Sequence, residues 1–251
     1  MTCLQAGVIR KMMENPQLPL LLMRQDRPAA GKTTMDAASE YVSELLISGD
    51  PPLKAVLGVP SGAGGLVIFS HGSGSGRLSP RNNYVAGRLR EAGFATLLLD
   101  LLSTEEELDR RNVFDIPLLA SRLRRAADWA ADQRLTARLR PAYFGASTGA
   151  GAALLAAAGD PRIVAVVSRG GRPDLADADA LAQVQAPTLM IVGGNDEPVI
   201  GLNRTAAQAM NCEHSIAVIP GATHLFEEAG ALDQVVELAI AWFTRNFGEW
   251  K

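Results

Sequence analysis

The sequence predicts an α/β protein, a mostly parallel, doubly wound sheet of about eight strands with helices on both faces. Three observations predict it. From residue 41 onward, short apolar runs alternate with helix-patterned segments. Several of the runs are continuous rather than alternating, as strands covered on both faces require. The 251 residues, 47% apolar and 20% charged, are enough for one large α/β domain with a sizeable core.

The elements follow in order. Runs at 42–47 and 55–59 are separated by the short 49–52 break, which suits an antiparallel hairpin at one edge of the sheet. Further runs at 66–70, 95–101, 142–144, 163–167, 188–192 and 215–219 read as the remaining strands. Helical patterns at 81–91, 116–133, 149–158, 175–183, 201–210 and 231–246 lie between and after them. Strand, helix, strand in repetition implies parallel pairing. Residues 1–38 carry Pro16, Pro19 and Pro28 and no sustained period. They read as an N-terminal extension to a catalytic domain spanning 39–251.

Composition excludes several classes. The net charge is −3 with both signs mixed along the chain, so no basic surface is available for nucleic acid or for an anionic membrane. The two cysteines, Cys3 and Cys212, are isolated and form neither a disulfide framework nor a zinc motif. The apolar stretch 18–23 is too short for a signal peptide and holds Pro19. No run approaches the roughly 20 apolar residues of a membrane span. A cytoplasmic setting is expected, with no cofactor and no metal. A homodimer is left open.

The strongest chemical signal is Gly145-Ala146-Ser147-Thr148-Gly149. It follows an apolar run and opens a helix of small residues, the strand–turn–helix context that gives G-x-S-x-G its meaning. Such a turn thrusts the serine hydroxyl above the sheet edge, and the small residues two before and two after it avoid backbone clashes. Ser147 is therefore the candidate nucleophile. A hydroxyl needs a base, and the chain has three histidines, His71, His214 and His224. His214 directly precedes an apolar run and so starts a strand, away from the edge where α/β sheets place their chemistry. His71 ends a strand in His71-Gly72-Ser73-Gly74 and reads as structural. His224 follows the last run and is the candidate base. Asp196, in Gly193-Gly194-Asn195-Asp196, ends the preceding run and is the candidate acid that orients the imidazole; Glu197 and Asp174 are its rivals. The chain order Ser147, Asp196, His224 fits.

The backbone amides of Ser73 and Thr148 are the candidate oxyanion hole. Arg77 and Arg81 follow one C-terminal strand end, and Arg169 and Arg172 follow another. All four are candidates for binding a substrate carboxylate. Two patterns are decoys. Gly31-Lys32-Thr33 lacks the earlier glycine of a phosphate-binding loop, and 72–76 lacks the third glycine of a dinucleotide loop.

Taken together, Gly145–Gly149, Asp196, His224 and His71–Gly74 resemble the α/β-hydrolase superfamily over about residues 41–248. Within it the compact layout is similar to dienelactone hydrolase-related proteins, with little or no cap domain after the run at 163–167. The resemblance departs at one point: the dienelactone hydrolases proper use cysteine where this chain has Ser147. It implies ester hydrolysis through an acyl-enzyme, with a small-molecule carboxylic ester as substrate; the lack of a cap and the low aromatic content, 5%, suggest an open, shallow site and so a short acyl chain. Acyl transfer, lactone or amide cleavage by the same groups, and ligand binding without catalysis, are the alternatives.

Overall fold

In a computed structural model, residues 40–248 are described; the predicted extension, 1–38, lies outside them. The strands are β1 (Tyr41–Ile47), β2 (Leu53–Val59), β3 (Leu66–Ser70), β4 (Ala95–Leu99), β5 (Pro141–Ala146), β6 (Val166–Arg169), β7 (Thr188–Gly193) and β8 (His214–Ile219). They form one sheet in the order β1-β2-β4-β3-β5-β6-β7-β8. β1 and β2 make the expected antiparallel edge hairpin, and β2 meets β4 antiparallel. Every other neighbouring pair is parallel.

The helices are α1 (Pro80–Glu91), α2 (Thr104–Glu107), α3 (Arg110–Val113), α4 (Ile116–Asp132), α5 (Thr148–Ala157), α6 (Ala178–Gln183), α7 (Glu197–Ala209) and α8 (Ala231–Phe247), with a 3₁₀ turn at Pro173–Leu175. Among the described residues, no helix is long and apolar enough to cross a membrane. Successive strand residues point to opposite faces, so the continuous apolar runs feed two separate cores. Leu66, Ile68, Leu97, Tyr143 and Met190 pack with α4, α5, α6 and α7. Val67, Phe69, Leu98, Phe144 and Ile191 pack with α1 and α8.

The structure differs from the sequence reading at two elements and adds a pair of helices that it did not contain. The run at 163–167 ends as strand β6 only at Arg169, because backbone pairing to Ala146 and Ile191 continues past the last apolar residue. The helix expected at 201–210 begins at Glu197. Pro198 sits in its first turn, where a proline removes no helical hydrogen bond. The polar segment 103–113, with no apolar period, folds into α2 and α3. Ser103 and Glu106 cap α2 reciprocally, and Asp109 caps α3. Only the 3₁₀ turn and α6 lie between β6 and β7, so no cap domain is inserted there.

Candidate active site

Parallel pairing brings the C-terminal ends of β3, β5, β6, β7 and β8 to one edge, and the loops that leave them converge. Between β5 and α5 the chain turns through Ser147, at φ 50°, ψ −123°. This left-handed conformation is strained for any residue but glycine. The flanking glycines show why the turn needs them. A Cβ on Gly145 would lie 2.5 Å from the Ala150 Cα, and one on Gly149 would lie 2.2 Å from the Ser70 carbonyl oxygen. The turn is pinned by its own backbone. The Ser147 amide donates to the Arg169 carbonyl at 3.3 Å, and the Ser147 carbonyl accepts from Ala150 and Arg172, both at 3.0 Å.

His224 is half-buried in the loop after β8. Its Nδ1 lies 2.6 Å from Asp196 Oδ2, which leaves Nε2 for another partner. Asp196 stands at the N-cap position of α7 but makes no side-chain capping bond; its carboxylate faces the imidazole instead. The two loops are locked together. Asn195 donates from its amide to the Ala222 carbonyl and from its side chain to the Gly221 carbonyl. A Cβ on Gly193 would stand 2.5 Å from the carbonyl oxygens of both Ala222 and Thr223. The rivals for the acid role lie elsewhere: Asp174 pairs with Arg172, and Glu197 is exposed in the first turn of α7.

Ser147 and His224 line one cleft of about 220 Å³, together with Gly72, Ser73, Ser75, Arg81, Ala146, Arg169 and Leu225. A hydroxyl and an imidazole in one cleft, with the imidazole's far nitrogen held by a carboxylate, are the parts that nucleophilic acyl transfer requires. The loop after β3 borders the same cleft. Gly72 allows its approach, because a Cβ there would meet the Ser147 Cβ at 2.9 Å. Thr148 opens α5, where a helix leaves its first amides unpaired and its positive dipole end exposed. His71 is buried behind this loop. Its Nε2 accepts from the Leu101 amide at 3.0 Å and its Nδ1 lies 3.0 Å from the Gly72 carbonyl oxygen. His214 is exposed at the start of β8, with Nδ1 against the Cys212 carbonyl.

The four arginines divide. Arg77 is held by Asp100, side chain to side chain at 2.5 Å and amide to carboxylate at 2.7 Å, and lines a neighbouring groove. Arg172 forks onto Asp174 at 2.8 and 2.7 Å and is absent from the Ser147 cleft. The expectation that all four face the nucleophile is corrected on these two: nearby carboxylates satisfy them outside the cleft. Arg81 lines the cleft while paired with Glu227 at 2.9 Å. Arg169 lines it too, and is 9% exposed. Its Nη1 has no hydrogen-bond partner among the described residues, and its guanidinium lies 6.0 Å from the centroid of the Phe144 ring. Burial, with the nearby Arg81 charge, pushes its pKa down to about 10. A cation kept out of water beside a second cation is costly, and an anion entering the cleft would offset that cost.

A model of the dienelactone hydrolase family matches residues 53–245. Two Mycobacterium tuberculosis proteins, from strains CDC 1551 / Oshkosh and H37Rv, are each described as a putative phosphoribosyl transferase. Both are 58% identical to the chain over 228 residues. That match takes in 88% of this chain and 51% of each relative, so the chain spans about half the length of the curated relatives it matches. The crystal structure of a dienelactone hydrolase from Anabaena variabilis ATCC 29413 is similar at TM-score 0.79 and 53% identity, over 83% of this chain and 98% of that one. Est1E from Butyrivibrio proteoclasticus, 18% identical, is alike in fold at TM-score 0.70, over 82% of this chain and 99% of its own. The family model runs from β2 into the last helix, across every loop that builds the cleft, and the chain belongs to the dienelactone hydrolase family.

Proposed function

We propose that the protein hydrolyses carboxylic esters through a covalent acyl-enzyme on Ser147. The observation that carries this reading is the cleft that holds Ser147 and His224, with Asp196 2.6 Å from the far ring nitrogen. In acylation, the Ser147 Oγ attacks the ester carbonyl carbon while His224 Nε2 takes the hydroxyl proton. The oxyanion is held by the Ser73 and Thr148 amides. The carbon–oxygen bond to the alcohol then breaks, and His224 returns its proton to the departing oxygen. In deacylation a water molecule gives His224 a proton and attacks the acyl carbonyl; the proton then passes to Ser147 as the carboxylic acid leaves. Asp196 keeps His224 in the tautomer that accepts at Nε2 and stabilises the imidazolium.

Arg169, with Arg81 beside it, favours an ester that carries an anionic group. An unsatisfied buried guanidinium matches a carboxylate's planar pair of oxygens. We assign the phosphoribosyl transferase description of the mycobacterial relatives to the half of those proteins that this chain does not span, since the matched half is the one similar to a chain of the dienelactone hydrolase family.

The test is covalent labelling with a fluorophosphonate, read by intact mass, alongside turnover of p-nitrophenyl acetate. Labelling and turnover in the wild type, with both lost in Ser147→Ala, is the expected result. Turnover that persists in Ser147→Ala would overturn the serine mechanism.

A further inference from the structure

The Ser147 cleft has a neighbour. A second compartment of about 160 Å³ adjoins the same loop after β3, and Gly72 and Ser73 line both. Its walls differ in chemistry from those of the first. Leu102 and Leu119 are buried in it, Val113 is half-buried, and Thr148 closes the side toward the elbow. Among the described residues neither His224 nor an arginine lines it; Glu107 and His71 do. The first compartment has His224, Arg81 and Arg169. The loop that carries the Ser73 amide thus lines both a more apolar compartment and a cationic one.

We infer that an ester is held in two halves, a short apolar acyl group in the compartment of Leu102, Val113 and Leu119, and an anionic alcohol against Arg169. This rests on the serine-hydrolase reading. The assignment of halves follows from the chemistry. When Ser147 attacks, the carbonyl oxygen must point at the Ser73 and Thr148 amides. The departing oxygen must lie within reach of His224, because that imidazole supplies its proton. The alcohol therefore occupies the compartment that His224 lines, which is the one with Arg169. The acyl chain is left the other direction, past the oxyanion donors and into the apolar compartment. There the Glu107 carboxylate repels a second negative charge, so the anion belongs on the alcohol and not on the acyl chain.

The apolar compartment also sets a length limit. At about 160 Å³ it is smaller than the Ser147 cleft, which suits a short acyl chain. Its wall is anchored. Val113 ends α3, and the preceding helix α2 is tied to α4 by Arg122, which donates to Glu106 at 2.6 and 2.5 Å and to the Leu101 carbonyl at 3.0 Å. His71 holds the Leu101 amide from the other side.

The experiment is a matched set of phenyl esters compared by kcat/KM. The 4-acetoxybenzoate anion is expected to exceed the neutral 4-acetoxybenzamide by about tenfold, the scale of one charge-assisted hydrogen bond. That ratio should fall toward one in Arg169→Met and be partly kept in Arg169→Lys. Phenyl butyrate should exceed phenyl hemisuccinate, which puts the charge on the acyl side, and phenyl hexanoate should fall below both butyrate and acetate. Val113→Phe should move the optimum to acetate, and Val113→Ala should move it toward hexanoate. The same length order is expected for the rates at which methyl, butyl and octyl phosphonofluoridates label Ser147, which needs no turnover. A preference for the hemisuccinate, equal rates for butyrate and hexanoate, or no gain from the benzoate charge would overturn the two-compartment assignment. Those failures leave the serine mechanism intact, because Ser147→Ala, run in parallel, tests that separately.

Discussion

The Ser147 amide donates to the Arg169 carbonyl, so the strained elbow and the buried guanidinium are carried on bonded backbones of neighbouring strands. The guanidinium belongs to the cleft by construction, yet among the described residues no carboxylate pairs with it there. A buried ion without a partner lowers stability, and an apolar replacement of similar size is neutral or stabilising. Arg169→Met is therefore expected to unfold at the wild-type temperature or a few degrees above it, while its preference for anionic esters falls. Scanning calorimetry of the two proteins decides this. A marked drop in the melting temperature would show that Arg169 serves the fold.

Asp196 gives the opposite separation. An aspartate at an N-cap usually contributes about 1 kcal/mol through its bond to the first helical amides, but this one makes no such bond and faces His224. Asp196→Asn should keep the wild-type denaturation midpoint within error. It should lose on the order of 10⁴-fold in kcat, because the asparagine amide favours the wrong histidine tautomer. A variant that unfolds early but turns over esters normally when folded would remove Asp196 from the catalytic group and leave it a structural cap.

Much of this cleft was legible in the sequence because its requirements are local. Gly145 and Gly149 flank Ser147 at fixed spacing, since no side chain fits at either place. Asp196 follows a double glycine that lets one loop press on the next, and with only three histidines, His214 starting a strand and His71 opening the glycine loop, His224 was left for the base. The rest depends on partners distant in the chain. Arg77 is satisfied by Asp100, 23 residues away, and Arg81 by Glu227, 146 residues away, so sequence proximity alone could not separate Arg169, which has no ion-pair partner among the described residues, from the others. Asp174 stands two residues from Arg172, and that pairing was within reach of the sequence. The α2–α3 wall gave no periodic signal because its order comes from caps and from Arg122, 16 residues beyond Glu106.

That wall should respond to acid. The Arg122 hydrogen bond, chiefly, holds the Glu106 carboxyl below its ordinary pKa, against the opposing effect of burial. A carboxyl whose folded pKa is depressed adds stability above its unfolded pKa and loses it as pH falls through the folded one. Urea midpoints of wild type and Glu106→Gln, measured from pH 7 down to pH 3, should differ most at neutral pH. The gap should narrow through the carboxylate range. A gap independent of pH would mean that the Glu106 charge adds nothing to the anchoring.

The elbow itself stores strain that can be measured without activity. Ser147 sits at φ 50°, a conformation that costs a residue with a Cβ about 1–3 kcal/mol and that glycine adopts freely. Both Ser147→Ala and Ser147→Gly remove the nucleophile, so they can be compared on folding alone. Alanine keeps the Cβ and the strain. Glycine sheds it, but loses about 0.5–1 kcal/mol through the greater freedom of its unfolded chain. The balance favours glycine by about 1 kcal/mol, the reverse of the usual order, which corresponds to a melting temperature about 2–4 °C higher for a chain of this size. Calorimetry of the two inactive variants reads this directly. If Ser147→Ala melts higher than Ser147→Gly, the turn is held without strain, and the elbow owes its geometry to the close approach of Gly145 and Gly149 alone.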